Sequence, residues 1–352
     1  MLNILFHGVA ADPQLPGNLP LGQPLPLENQ YLQHGLLFFM CHLAYAEIKL
    51  APYTFLSAYL PPKWLTFKRP FLAQFITTGN NCPDQFIDVG VAEANMVGIS
   101  SGLALSGKNV YCYSIIPFLT MRAYEQIRVD VAYHNLNVKL VGMGAGFTYG
   151  FEGFTHFGIE DMALMRAMPN MHVVVPDTIE NVVQVAQLSY SYPYPLYIRL
   201  GRAGIRNPKG KNYNLKIGKG LVLHEGMDVA IFAIGNMVAP ALQAIDILKS
   251  RGISATLINI HTLKPLDVEL IRQCAASYKA IFSIEEHSII GGLGSAVSEV
   301  LAECSYGGIF KRIGIPEVLD SKIIGTADYL WESYGLTAEK ISERIVEAMK
   351  GR

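Results

Sequence analysis

The sequence is poor in charge. Lys, Arg, Asp and Glu account for 16% of its 352 residues, where an ordinary soluble domain carries about 25%. Much of the chain must therefore lie buried, in its own core or against a partner. The signs balance, 28 basic against 29 acidic residues for a formal net charge of −1, which removes the long-range positive field of a nucleic-acid binder. No nucleic-acid partner is expected. Long apolar runs are missing too. A membrane-spanning helix needs about 18 consecutive apolar residues; the nearest approach, Gly35 to Ala46, is shorter and broken by His42, so a soluble protein with no membrane partner is expected. No Lys or Arg precedes Lys49, which argues against a secretory signal. Cysteine is sparse: Cys41, Cys82, Cys112, Cys274 and Cys304 are odd in number, spread out and free of C-x-x-C spacing. That suits a reduced cytoplasmic compartment and suggests no zinc site.

What is present is length and a repeating pattern. At roughly 100–200 residues per domain the chain holds two domains. Pro13, Pro16, Pro20, Pro24 and Pro26 stand among leucines and glycines, a composition that sustains neither helical nor ladder periodicity, so residues 1–30 read as irregular. From about Asn109 short β-branched or aromatic runs alternate with helical periods, the mark of βαβ units around a parallel sheet. The runs are Val110–Ile116, Val138–Met143, His172–Val175 and Leu196–Leu200, with helices expected over about 119–134, 160–168 and 178–190. The Gly/Lys/Asn-rich stretch 204–219 reads as a linker with a hairpin. A second series follows: Asp228–Ile234, a helix over 239–250, Ala255–Ile260, a helix from Asp267, Ala280–Ile284, a glycine-led helix over 293–303, Phe310–Ile315 and an amphipathic helix over 337–349. The fold class is α/β, two three-layer α/β/α domains with functional loops at the carboxyl ends of the strands.

Several residues suit chemistry. Glu93 lies in "FIDVGVAEANMVGISSGLALSG" (86–107), among apolar and small neighbours whose lack of hydration favours a neutral, proton-donating carboxyl; an acid there also suits the first turn of a helix. Phe118 and Arg122 follow a strand end, where an aromatic can stack on a planar ring or simply fill core. Glu152 and His156 sit in a glycine-rich loop, "GAGFTYGFEGFTHFGIEDM" (144–162). There His156 can bond a substrate hydroxyl, shuttle a proton or satisfy nearby carbonyls. Arg199 and Arg202 in "YIRLGRAG" suit phosphate or carboxylate recognition, or a domain interface. The Gly291-Gly292-Leu293-Gly294 turn after "EEH" lacks the full G-x-G-x-x-G spacing and reads as close packing.

The order of these segments, Glu93, Phe118, "GFEGFTH", "MPNMHVVVPD", "YIRLGRAG" and "EEHSIIGGLGSAV", resembles the C-terminal half of the transketolase family, including deoxyxylulose-phosphate synthase, from about Asp84 onward. The resemblance implies a thiamine diphosphate-binding pyrimidine domain over 46–205, a linker over 206–218 and a transketolase C-terminal domain over 219–352, after an irregular or divergent segment 1–45. It implies that Glu93 hydrogen-bonds N1′ of the aminopyrimidine and so favours the tautomer that takes the thiazolium C2 proton. Phe118 then stacks on the pyrimidine and Arg122 borders the cofactor. His156, in place of the histidine of the family's "GPTH" loop, and Glu152 face the sugar, and Arg202, with Arg199 as companion, takes the phosphate of phosphorylated sugar substrates.

The family's "GDG…N" motif, which holds the Mg2+ of the diphosphate, is missing, because Gly-Asp-Gly occurs nowhere in the chain. The resemblance therefore implies a separate N-terminal transketolase-like subunit that holds the Mg2+, homodimerisation of this chain and a heterotetramer. Trp64, Phe67 and the low charge would mark part of that interface. Phe154 replaces the usual proline of "GPTH", and Tyr59 stands at a position the family makes acidic. The activity implied is transfer of a two-carbon ketol unit between sugars. Deoxyxylulose-phosphate synthase-like, 2-oxoacid dehydrogenase β-like and catalytically degenerate relatives remain as alternatives.

Overall fold

The computed structural model describes the backbone of residues 3–7 and residues 85–201, 213–317 and 323–350 in full. Tyr59, Trp64, Phe67 and Arg202 lie outside the described residues. Among the described residues twelve strands form two sheets. The first orders β10 (Thr262–Lys264), β5 (His172–Val174), β6 (Leu196–Leu200), β4 (Val138–Met143), β3 (Asn109–Ile115), β1 (Asn3–His7) and β2 (Phe86–Asp88). The second orders β12 (Ile309–Ile315), β11 (Ala280–Ser288), β8 (Val229–Ala233), β9 (Ala255–Asn259) and β7 (Leu221–His224).

The central strands β3–β4–β6–β5 and β12–β11–β8–β9 are parallel. Their sequences show why. Val138–Met143 and Leu196–Leu200 are buried along their whole length, and strands covered on both faces read as continuous rather than alternating apolar runs. The helices between them supply the covering layers. Thr178 caps Ile179–Ser191 by accepting from Asn181 N, Asp267 caps Val268–Ser277 by accepting from Leu270 N, and Thr326 caps Ala327–Tyr334 by accepting from Tyr329 N. The cores merge: one continuous apolar interior holds Val138, Leu140 and Met165 of the first half with Ala230, Ile258 and Leu293 of the second.

Four sequence expectations change. Asn3–His7, inside the segment expected to be irregular, forms β1, antiparallel to β2 and β3; the Asn-Ile-Leu-Phe-His run ends before the first proline, Pro13, which is what spares it. The helix expected over 119–134 is broken into Ile116–Thr120, Tyr124–Gln126 and a π-helical Ile127–Tyr133. A π turn shares the apolar spacing of an α turn closely enough that composition does not separate them. The hairpin expected in 204–219 is not found among its described residues. Leu215 packs there instead, with its amide donating to Gln184 Oε1 at 3.0 Å, and the strand that follows, β7, pairs with β9. Finally, β10 has no counterpart among the expected strands: Thr262 and Lys264 pair antiparallel with Val174 and Val173, so a strand of the second half closes an edge of the first sheet.

Candidate active site

The site forms where β3 and β4 end. At Gly90 the backbone takes φ +72°, with its amide donating to Asp88 Oδ1 at 2.9 Å, and this turn launches the helix Glu93–Leu105. Glu93 is that helix's first residue and only 4% exposed. Its Oε1 accepts from Ser114 Oγ on β3 at 3.3 Å, and its Oε2 faces Arg122 Nη1 at 3.5 Å. Both contacts are long, so the carboxyl keeps hydrogen-bonding capacity for a further partner.

Phe118 lies one helical step beyond β3 and is half-buried. The Arg122 guanidinium sits 4.3 Å from its ring centroid, and the His156 ring meets it edge-on at 5.0 Å. Tyr149 stands 6.4 Å from the same histidine. A buried carboxyl, a planar aromatic and a half-exposed imidazole thus converge, a donor set suited to a flat heterocycle held by its ring nitrogen and stacked on one face.

The loop that brings His156 there is closed at its neck. Gly146 N donates to Gly158 O at 2.8 Å and Gly158 N to Gly146 O at 3.0 Å. Between them Gly153 takes φ +72°, Glu152 is exposed and His156 Nδ1 bonds Thr155 Oγ1 at 2.9 Å. The second half of the chain supports the loop. Phe147 stacks on Tyr334 at 5.3 Å, and a Cβ on Gly150 would lie 2.2 Å from Gly325 O.

Arg199 is placed differently from the sequence expectation. It is 1% exposed, with Nε donating to Asp161 Oδ2 at 2.8 Å and Nη2 to Gly158 O at 2.6 Å and Glu286 O at 3.0 Å. Tyr197 OH donates to the same Asp161 oxygen at 2.7 Å. Burial works against the Arg199 cation, but Asp161, Tyr197 and Glu286 more than offset it and its pKa rises; the Tyr197 phenol is pushed far up, first by burial and then by the Asp161 charge. An arginine so fully occupied braces the underside of the loop and is not free to take a phosphate.

The structure therefore brings together Glu93, Phe118, Arg122 and His156, sets Glu152 on the same loop, and removes Arg199 from the surface. The glycine turn behaves as close packing: Glu285 Oε2 and Oε1 accept from Leu293 N and Gly294 N at 2.7 and 2.8 Å, filling the helix start that a phosphate would need. Sequence reasoning missed Glu286, Asn236 and Trp331, which meet at the loop's neck. The available signal was "EEH" within an apolar run, because two successive acids in a strand cannot both point to solvent when both faces are covered. Among the described residues no group of three or more His, Cys, Asp or Glu is placed to hold a metal ion, and no helix is long and apolar enough to cross a membrane.

Comparison with known proteins agrees with this geometry. The pyrimidine-binding domain of transketolase matches residues 62–207, beginning ahead of Asp84, and the transketolase C-terminal domain matches residues 218–341. A Methanocaldococcus jannaschii protein named as a transketolase C-terminal section is 43% identical over 270 residues, 76% of this chain and 84% of that protein. The 6-deoxy-6-sulfo-D-fructose transketolase subunit of a Clostridium species is 41% identical over 266 residues, 74% of this chain and 80% of its own length. The 1-deoxy-D-xylulose-5-phosphate synthase of Trichormus variabilis is 37% identical over 276 residues, but these span only 42% of that enzyme. A solved split-gene transketolase, described as an inactive beta4 tetramer, superposes with a TM-score of 0.70 at 32% identity and covers 90% of this chain and 97% of its own. The chain belongs to the transketolase family and corresponds to the C-terminal section that carries the pyrimidine-binding and C-terminal domains.

Proposed function

We propose that this chain is the C-terminal subunit of a split, thiamine diphosphate-dependent transketolase that moves a two-carbon ketol unit between sugars. The observation that carries this is the convergence of Glu93, Phe118 and His156 at the end of β3, in a chain whose subunit-sized relatives match it over most of their length.

The residues present fit the ring end of the cofactor. Glu93 presents a carboxyl with spare hydrogen-bonding capacity to a ring nitrogen, Ser114 fixes the orientation of its Oε1, and Phe118 offers the stacking face. Arg122, which lies against both Glu93 and Phe118, borders the ring. When bound, thiamine diphosphate supplies a nucleophilic C2 and an electron sink for the carbon–carbon bond that breaks. Glu93 holds a proton at the pyrimidine nitrogen. His156 binds and orients the sugar hydroxyls and exchanges protons with them, Glu152 assists from the exposed side of the loop, and Arg202 takes the sugar phosphate. The diphosphate and its Mg2+ fall to a separate N-terminal subunit, in keeping with the lack of a Gly-Asp-Gly segment here. The working assembly is a cytoplasmic heterotetramer in which this chain also pairs with its own copy, with domain limits at 46–205 and 219–352.

Thiamine diphosphate and Mg2+ are titrated into this chain alone and into its mixture with the co-encoded N-terminal subunit, and ketose turnover is followed in both. Saturable binding and turnover are expected only in the mixture. Tight cofactor binding by the isolated chain would overturn the split-subunit assignment, and formation of a deoxyketose from pyruvate would replace ketol transfer by the synthase reaction.

A further inference from the structure

The second domain holds a buried carboxylate with no place in the chemistry above. Glu286, near the end of β11, is 1% exposed and makes more polar contacts than any packing role needs. Its Oε1 accepts from Phe147 N at 2.8 Å and from Trp331 Nε1 at 2.7 Å, and its Oε2 accepts from Asn236 Nδ2 at 2.7 Å. Burial pushes its pKa up, against the pull of these three donors. The three donors come from three segments: the loop of the first domain, the helix Ala327–Tyr334, and the short Gly235–Met237 turn after β8.

Phe147 and its neighbour Gly146 form the neck of the loop that carries Glu152 and His156. Gly146 has φ +59°, and a Cβ there would lie 2.0 Å from Glu286 Cδ, so the carboxylate rests directly on the bare backbone. The main chain of the same glutamate works from the other side. Glu286 O accepts from Arg199 Nη2, which also donates to Gly158 O at the opposite strand of the neck. The third contact extends the reach: Asn236, held by Glu286 Oε2, is seated on Gly201, where a Cβ would lie 2.0 Å from its Oδ1. Gly201 immediately precedes Arg202.

We infer that Glu286 is a positioning residue for sugar recognition: from the second domain it fixes the neck of the loop bearing His156 and Glu152 and, through Asn236, the end of β6 at Gly201. The inference rests on the proposal that this loop faces the sugar, and it goes further by making that recognition depend on the docking of the C-terminal domain. The cofactor-facing groups share no hydrogen bond with it, although His156 of the loop packs edge-on against Phe118. Glu93, Ser114 and Phe118 are held by the helix Glu93–Leu105 and by β3 with its following turn, none of which touches Glu286 through a hydrogen bond. Glu286 therefore acts first on sugar affinity, reaching the cofactor-facing side only through the ring contact of His156 with Phe118.

The test uses the complete complex of this chain with its N-terminal partner subunit. In Glu286→Gln the amide Oε1 still accepts two N–H donors, but its NH2 faces the Asn236 NH2, donor against donor. The expected result is a KM for the ketose raised roughly 10- to 100-fold, as a displaced positioning group costs, with much smaller changes in kcat and in thiamine diphosphate affinity, and faster hydrogen exchange across residues 146–158. Trp331→Phe removes one donor to Glu286 but leaves the Phe147 bond in place, so its KM and loop exchange should shift in the same direction as in Glu286→Gln but by less. If Glu286→Gln does not fold, Glu286→Asp carries the same test with the carboxylate withdrawn by one methylene. Unchanged KM and unchanged loop exchange would overturn the inference. So would a parallel fall in stability, cofactor affinity, kcat and sugar affinity, which is the pattern of a general structural role. His156→Ala is run alongside: if it leaves the ketose KM unchanged, the sugar-facing proposal fails on its own, while loop exchange in Glu286→Gln still decides whether Glu286 positions the loop.

Discussion

Replacing Glu93 by Gln separates the chemical role of this residue from its structural one. In the fold, Glu93 does little that an amide cannot do. The amide oxygen still accepts from Ser114 Oγ, and the substitution abolishes just the ion pair with Arg122, 3.5 Å long and with the arginine side chain 53% exposed. Such solvent-screened pairs contribute roughly 0.2–1 kcal/mol, which for domains of this size lowers Tm by no more than about 2–4 °C. The chemical effect is of another order. An amide cannot hold and release a proton at a ring nitrogen, and removing a positioned acid–base group costs about 10²–10⁴ in rate. The predicted signature is therefore a nearly unmoved melting curve, cofactor binding retained by the complex with the N-terminal subunit, and ketose turnover reduced at least about a hundredfold. The assay measures melting, cofactor titration and turnover on the same preparation. Near wild-type turnover would remove Glu93 from the mechanism. A collapse of the melting temperature would instead show that the residue is needed to start its helix.

The other predictions concern burial. Arg199→Met leaves Asp161, fully buried and with Tyr197 OH still donating to it, as an uncompensated charge, so denaturant unfolding should show stability reduced by about 3–5 kcal/mol; a stable variant with a raised KM for phosphorylated sugars would instead restore a phosphate role. His261, 2% exposed, has its pKa lowered from 6.5 to about 4, by burial first. Below about 6.5 the unfolded chain takes up a proton that the folded chain refuses, so stability is lost as pH falls from 6.5 towards 4. The burial of Glu285 raises its carboxyl to about 7 and acts in the opposite direction, as stability lost while pH rises between 4.5 and 7. The measurement is therefore the difference between wild type and His261→Gln. Relative to the variant, the wild type should lose on the order of 3 kcal/mol over this window, at about 1.36 kcal/mol per unit. A constant difference would refute the assignment.

How much of this was legible in the sequence depended on whether the cause was local. Val138–Met143, Leu196–Leu200 and the helix Leu293–Glu303 fall where their apolar runs and glycine lead place them, because burial on both faces leaves a continuous pattern. Three-residue strands such as Phe86–Asp88 and Thr262–Lys264 carry no period of their own and exist only through their partners. The site divides the same way. Glu93 stands out by the apolar company it keeps. Arg199 looks like any strand-end arginine, and only the fold reveals that Asp161 is already bound to it. Glu286 was invisible as a hub because its donors, Phe147, Asn236 and Trp331, are scattered over more than half of the described chain.

The pairing of β10 with β5 bears on how the molecule is made. Until Thr262–Lys264 has been synthesised, the first sheet ends in an open ladder at His172–Val174, the kind of edge that recruits foreign strands. Val175 N, which donates to His261 O at 2.8 Å, is unpaired for the same interval. The N-terminal domain thus emerges from the ribosome structurally unfinished, and its last ladder bonds must wait for a partner distant in sequence, the slow class of folding event. Truncation at the apparent domain boundary would accordingly yield an aggregation-prone fragment rather than an autonomous pyrimidine-binding unit.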